Sequence, residues 1–157
     1  MGAQFDLERF VTAQNPIYET VTGELRAGRK QSHWMWFVFP QIAGLGRSDM
    51  AQRYAISSLD EARAYLAHTV LGLRLRECTA LVLEVKGKSA DDIFGYPDNL
   101  KFQSSMTLFC HAAPEDTENV FRDALERFYD GKQDEQTVAA LEDQKRNAPS
   151  PDRSARR

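Results

Sequence analysis

Cysteine is scarce in this chain. Two residues in 157, Cys78 and Cys110, stand without a CxxC spacing or a Cys/His cluster. No disulfide framework is needed, a reducing compartment is expected, and each thiol is read as a small hydrophobe on an apolar helix face. Long apolar runs are missing too: none approaches the length of a bilayer span. The start, MGAQFDLERF, lacks the basic region and apolar stretch of a signal peptide, and Asp6 stands where myristoylation needs Ser or Thr. The expectation is a soluble, cytoplasmic protein with no membrane partner. Positive charge is not in excess, with 20 Lys and Arg against 23 Asp and Glu and a net charge of −3. That balance predicts no nucleic-acid partner.

Several catalytic signatures are also absent. There is no GxxxxGK[ST], GxSxG, HExxH or EF-hand loop. Gly44-x-Gly46 has neither a preceding Rossmann strand nor a third glycine in register. His33, His68 and His111 lie far apart and off metal-helix spacing, so no metal and no cofactor is expected. No run alternates with the period of a strand, and no repeat of fixed period occurs.

What is present is helical punctuation. Asn15-Pro16 reads as an N-cap with proline at the first helical position, followed by Ile17, Val21 and Leu25 along one face and a stop at Gly28. A shorter helix from near Asp6 carries Leu7, Phe10 and Val11. Ser58 and Glu61 read as a capping box, and Thr69 is expected to cap a helix bearing Leu71, Leu75, Cys78, Val82 and Val85, ended by Gly87. Ser89 opens a short helix with Asp91 and Asp92 at its positive end, broken by Phe94-Gly95-Tyr96-Pro97. Asp98 opens the next, Pro114 and Asp116 introduce another with Val120, Phe121, Ala124, Leu125 and Phe128, and Asp130-Gly131 turns the chain into a last helix from Asp134 to Gln144. The fold expected is all-α: a compact single domain over 1–146, many short helices around a central one near 70–86. Residues 147–157, rich in Pro, Ser and Arg without an apolar anchor, are expected to form a disordered tail.

Two stretches mix chemistry with bulk. In GRKQSHWMWFVFPQIAGLG (28–46), Trp34 to Phe39 are too uniformly apolar for a surface helix and are expected to be buried, as helix or as short strand. Buried indoles need acceptors for their N–H groups. Either this run is plain core, or it walls a pocket whose polar rim is Lys30, Ser32, His33 and Gln41. In NLKFQSSMTLF, the polar Lys101, Ser104 and Ser105 interrupt an apolar helix. Their hydroxyls either bond back to carbonyls one turn earlier or line the same pocket as His33.

The blocks RFVTAQ (9–14), 28–46, 54–78, 91–109 and FYDGKQDEQTVAAL (128–141) resemble the bacterial domain-of-unknown-function family 1810, whose members are sometimes automatically labelled "calpastatin". The resemblance covers nearly everything before the tail. It implies a mainly helical single domain and no established activity. Calpastatin's inhibitory segments are disordered, whereas this chain is patterned for a packed core. In fold class and in its polar-aromatic pocket the chain is also remotely similar to the all-helical NADAR type of N-glycosidase, an analogy that transfers no catalytic carboxylate; Glu19, Glu24 and Asp98 are merely available acids. The leading expectation is therefore a domain that binds a small polar or phosphorylated ligand, nucleotide- or ADP-ribose-like, with N-glycosidic hydrolysis as its extension. Lys30 and His33 would hold the anion, Trp34 and Trp36 would stack on a planar group, and Gln41, Lys101, Ser104 and Ser105 with Ser32 would complete the site. The rival expectation is a non-catalytic interaction or structural domain in which the aromatic segment is purely core.

Overall fold

The structure, a computed structural model, describes residues 5–115 and 118–147. Asp116 and the tail beyond Asn147 lie outside the described residues. Among those described the fold is all-α, without a strand.

The chain opens with α1 (Glu8–Gln14), passes through a 3-10 turn at Asn15–Ile17 and continues as α2 (Tyr18–Arg26). Asn15 was expected to cap and does not. Its side-chain oxygen accepts from Arg74 Nη2 at 2.9 Å, and Pro16 falls in the 3-10 turn, where its missing N–H is harmless. After α3 (Met35–Val38) and α4 (Asp49–Arg53) comes α5 (Leu59–Ala67), capped by Ser58 Oγ, which accepts from Glu61 N at 3.1 Å. The reciprocal half of that box goes elsewhere. Glu61 Oε1 accepts from the N–H and hydroxyl of Ser57 (2.7 and 2.8 Å), while Oε2 pairs with Arg9 at 3.2 Å. That buried carboxylate thereby ties α1 to the start of α5.

Next comes α6 (Leu71–Glu84). Its start is satisfied by His68 rather than Thr69: the imidazole Nδ1 accepts from Val70 N at 3.1 Å and Leu71 N at 3.3 Å. Ser89 and Asp92 make a full capping box on α7 (Ala90–Phe94). Gly95 follows with φ 77°, and the Tyr96–Pro97 bond is cis. The longest helix, α8 (Asp98–Ala112), leads to α9 (Val120–Tyr129), capped by Asn119. Asp130 and Gly131, both with positive φ, turn the chain toward α10 (Glu135–Asn147).

The stripe Leu71, Leu75, Cys78 and Val82 of α6 is fully enclosed, each residue at most 1% exposed. This helix packs on α2, α5 and α9, and shares the centre with α8, which packs on α5, α7, α9 and α10. Phe102, Met106, Leu108 and Phe109 of α8 are all 0% exposed, each contributing about 1.5–3 kcal/mol by leaving water. Phe102 stacks on Phe94 at 4.6 Å and meets Phe39 edge-on at 4.9 Å, so the short aromatic segment is joined to the central helix by rings.

Candidate functional site

The segment 28–40 owes its shape to one carboxylate. Glu24, on α2, accepts at Oε1 from Gln31 N (2.8 Å), Ser32 N (3.0 Å) and the Trp34 indole N–H (2.9 Å), and at Oε2 from the Ser32 hydroxyl. Burial opposes its charge. Donation by the Ser32 hydroxyl, the Gln31 and Ser32 N–H groups and the indole outweighs that and holds the carboxyl down at about 2. With its indole anchored, Trp34 is 1% exposed, and Met35, Phe37, Val38 and Phe39 are buried with it. Trp36 is the exception. It lies on the other side of the single turn of α3 and is only half-buried.

Lys30 belongs to the same segment. Its ammonium is 2.8 Å from Asp98 Oδ2 and 5.1 Å from the Trp34 ring centroid, with the side chain only 7% exposed. Lys101, one turn into α8, approaches the other Asp98 oxygen at 3.7 Å and lies 5.8 Å from the Trp36 ring. Two ammonium groups thus share one carboxylate, leaving a local positive charge. Lys101 is the more open of the two, at 31% exposed against 7% for Lys30.

Lys101 faces a cleft of about 480 Å³ walled by Gln41, Leu45, Gly46, Pro97, Leu100, Ser104, Lys132 and the first residues around α10. Hydrogen bonds and one close approach hold its walls in place. The loop after Pro40 is pinned by an isolated parallel bridge, with Ala43 N donating to Ile56 O and Ile56 N to Gln41 O, both at 2.8 Å. A Cβ on Gly46 would fall 2.6 Å from that of Ala51, so only glycine lets the loop approach α4 this closely. The opposite wall is fixed by Gln103 Nε2 donating to Lys132 O at 3.0 Å and Asp134 N donating to Thr107 Oγ1 at 2.9 Å. The Asp134 carboxylate caps α10, accepting from Thr137 N at 2.9 Å and Thr137 Oγ1 at 2.6 Å. A smaller cavity of about 130 Å³ adjoins the cleft, and Gln41 and Gly46 line both. A separate groove of about 500 Å³, lined by Arg63, Arg76 and His111 among others, shares no residue with the cleft.

Of the residues singled out in the sequence, Gln41, Lys101 and Ser104 line the cleft and Trp36 lines the adjoining cavity. Lys30, Ser32, His33, Trp34 and Ser105 line neither. His33 is exposed, while Lys30 is engaged with Asp98, and Ser32 and Trp34 with Glu24. Ser104 Oγ donates to Leu100 O at 3.2 Å, the back-bond expected of a helical serine. Ser105 Oγ is buried and has no partner among the described residues. The cleft residues missed in the sequence are Leu45, Pro97, Leu100, Lys132 and the α10 cap. The polar DGKQDE turn carried a signal of the last two; the others look like ordinary loop.

A family model described as "Protein of unknown function (DUF1810)" matches residues 4–141. The chain belongs to the DUF1810 family. This DUF1810 chain is also similar to a solved relative, described as "conserved hypothetical protein Rv1873 from Mycobacterium tuberculosis", with 58% sequence identity and a TM-score of 0.85 over 88% of this chain and 97% of the other. No curated protein matches the DUF1810 chain. Among the described residues no helix is long and apolar enough to cross a membrane, and no group of His, Cys, Asp or Glu is arranged to hold a metal ion.

Proposed function

We propose that this DUF1810 chain binds a small anionic ligand, a phosphorylated sugar or nucleotide, in the cleft walled by Gln41, Lys101, Ser104 and Lys132. The observation that carries the reading is Lys101. Its ammonium is held only loosely by Asp98 at 3.7 Å, is partly open to solvent, and faces a cleft that also receives Lys132. Lys30 already satisfies the other oxygen of Asp98 at 2.8 Å, so an incoming anion competes for Lys101 without stranding the carboxylate. Gln41 offers an amide with two donors and an acceptor at the same wall. The half-buried Trp36 face adds an apolar surface for a planar group.

A carboxylate that is to act on water or on the reacting carbon in N-glycosidic hydrolysis has to be free of other partners. Glu24, Asp98 and Asp134 are each held by donors or cations. Among the described residues, the acid at the cleft that is exposed is Glu135. Binding is therefore the function the geometry supports best, and a carboxylate-dependent hydrolase would draw on Glu135. A thermal-shift screen of sugar phosphates and nucleotides tests the reading. A ligand at about 100 times its Kd adds about 2.7 kcal/mol of stability, or roughly 5–10 °C in Tm for a domain of this size. The shift should vanish in Lys101→Ala and persist in Lys86→Ala, a change at an exposed lysine outside the cleft. Equal shifts in both variants would sink the proposal.

A further inference from the structure

The small cavity beside the cleft has a different chemistry from the cleft itself. At about 130 Å³, it is lined by Trp36, Gln41, Gly46, Gln52, Tyr54 and Ala55 among others. Cavities of this size hold a single aromatic ring: an engineered dry cavity of about 150 Å³ in another protein takes one benzene. Its walls are stiff on one side. Tyr54 is 9% exposed, with its ring 5.3 Å from that of Phe37 and 5.7 Å from that of Phe10. The side-chain amides of Gln52 and Gln41 keep unused hydrogen-bonding capacity among the described residues. Gln52 uses Nε2 on Arg47 O at 3.0 Å and keeps its amide oxygen free, and the half-buried Gln41 amide has no side-chain partner among the described residues. A half-buried amide without a protein partner, set between two cavities, offers both a donor and an acceptor to whatever passes from one into the other.

We infer that the cavity is a subsite for one monocyclic planar heterocycle with an amide- or imide-like edge, such as a pyrimidine, joined to the phosphorylated sugar in the cleft. The inference rests on the cleft binding that phosphate. Gln41 reads the ring edge, Trp36 and Tyr54 supply the apolar walls, and Lys101 and Lys132 hold the anion. A purine brings a second ring beyond the one that a cavity of this size takes. Discrimination against purines is expected to be steric, because the loop that borders the cavity is pinned by the Ile42–Ile56 bridge and by the close approach of Gly46 to Ala51.

Isothermal titration with ribose 5-phosphate, uridine 5′-monophosphate and adenosine 5′-monophosphate separates the two claims. An indole N–H chemical-shift titration with free uracil, the Trp36 signal assigned by Trp36→Phe, tests the ring alone. The expected result is that the uridine nucleotide binds at least tenfold tighter than either other compound. Ala55→Leu, which fills the cavity, should bring it down to the level of ribose 5-phosphate, and Gln41→Ala, which breaks no internal bond, should weaken it with the fold intact. Equal affinity for all three compounds would overturn the subsite and leave the cleft reading standing. Uracil binding that Ala55→Leu abolishes, with no phosphate bound, would keep the ring site and remove the cleft reading. Silence of all four ligands would overturn both.

Discussion

Replacing Glu24 by alanine should be the most damaging single change to the segment that carries Lys30 and the two tryptophans. The carboxylate satisfies two backbone N–H groups, one hydroxyl and one indole. Of these donors the indole is the one with nowhere to turn, because Trp34 is 1% exposed. Leaving it unpaired costs about 1–3 kcal/mol, while the Gln31 and Ser32 N–H groups reach water and their loss adds about 1 kcal/mol. The sum is about 2–4 kcal/mol. Glu24→Gln keeps an acceptor oxygen for the indole and loses only the charge-assisted part, about 1–2 kcal/mol. Urea unfolding of the wild type and both variants reads these numbers from the midpoint at constant slope. An alanine variant within about 0.5 kcal/mol of wild type, the range of an ordinary surface change, would refute the claim that this carboxylate organises the segment. So would a glutamine variant as unstable as the alanine one.

The same carboxyl sets an acid limit. Its folded pKa of about 2 lies below the ordinary 4.5, so its stabilisation is present above about pH 4.5 and lost as pH falls toward 2; Glu24→Gln should flatten that limb by about 1–2 kcal/mol after allowance for solvent screening. A Cβ on Gly72 would fall 2.1 Å from the Leu66 carbonyl oxygen, and Gly72→Ala should lower stability by about 1–3 kcal/mol. Gly23 has nothing within 4 Å of an added Cβ on α2, and Gly23→Ala should raise stability by about 0.5–1 kcal/mol; thermal denaturation of the pair checks both signs. Burial pushes the Cys78 thiol up to about 12, whereas Cys110 is half-buried and raised less. Under native conditions a thiol reagent should therefore label Cys110 well before Cys78, as mass spectrometry of timed samples will show.

Most of the fold was legible because helix starts and apolar stripes are local. Ser58, Ser89 and the stripe from Leu71 to Val82 act within a turn or two of themselves, and they behave as their spacing predicts. The misread caps were lost to tertiary competition. Asn15 is claimed by Arg74, 59 residues away in sequence, and Glu61 is claimed by Ser57 and Arg9. The site was less legible for the same reason. Lys30 and Lys101 meet only through Asp98, and Trp34 is withdrawn from the surface by Glu24, ten positions upstream. Neither link leaves a periodic mark. Trp34 and Trp36 look equivalent in sequence, yet one turn of helix sends the first into the core and the second to the wall of a cavity.

The central claim is that Lys101 and its neighbours form an anion-binding cleft, and mapping the site directly tests it best. In a titration with ribose 5-phosphate followed by backbone amide chemical shifts, the largest changes should fall on Gln41, Lys101, Ser104 and Lys132 and saturate together. Changes clustered instead along the groove of Arg63, Arg76 and His111, or no saturable change at millimolar ligand, would contradict it.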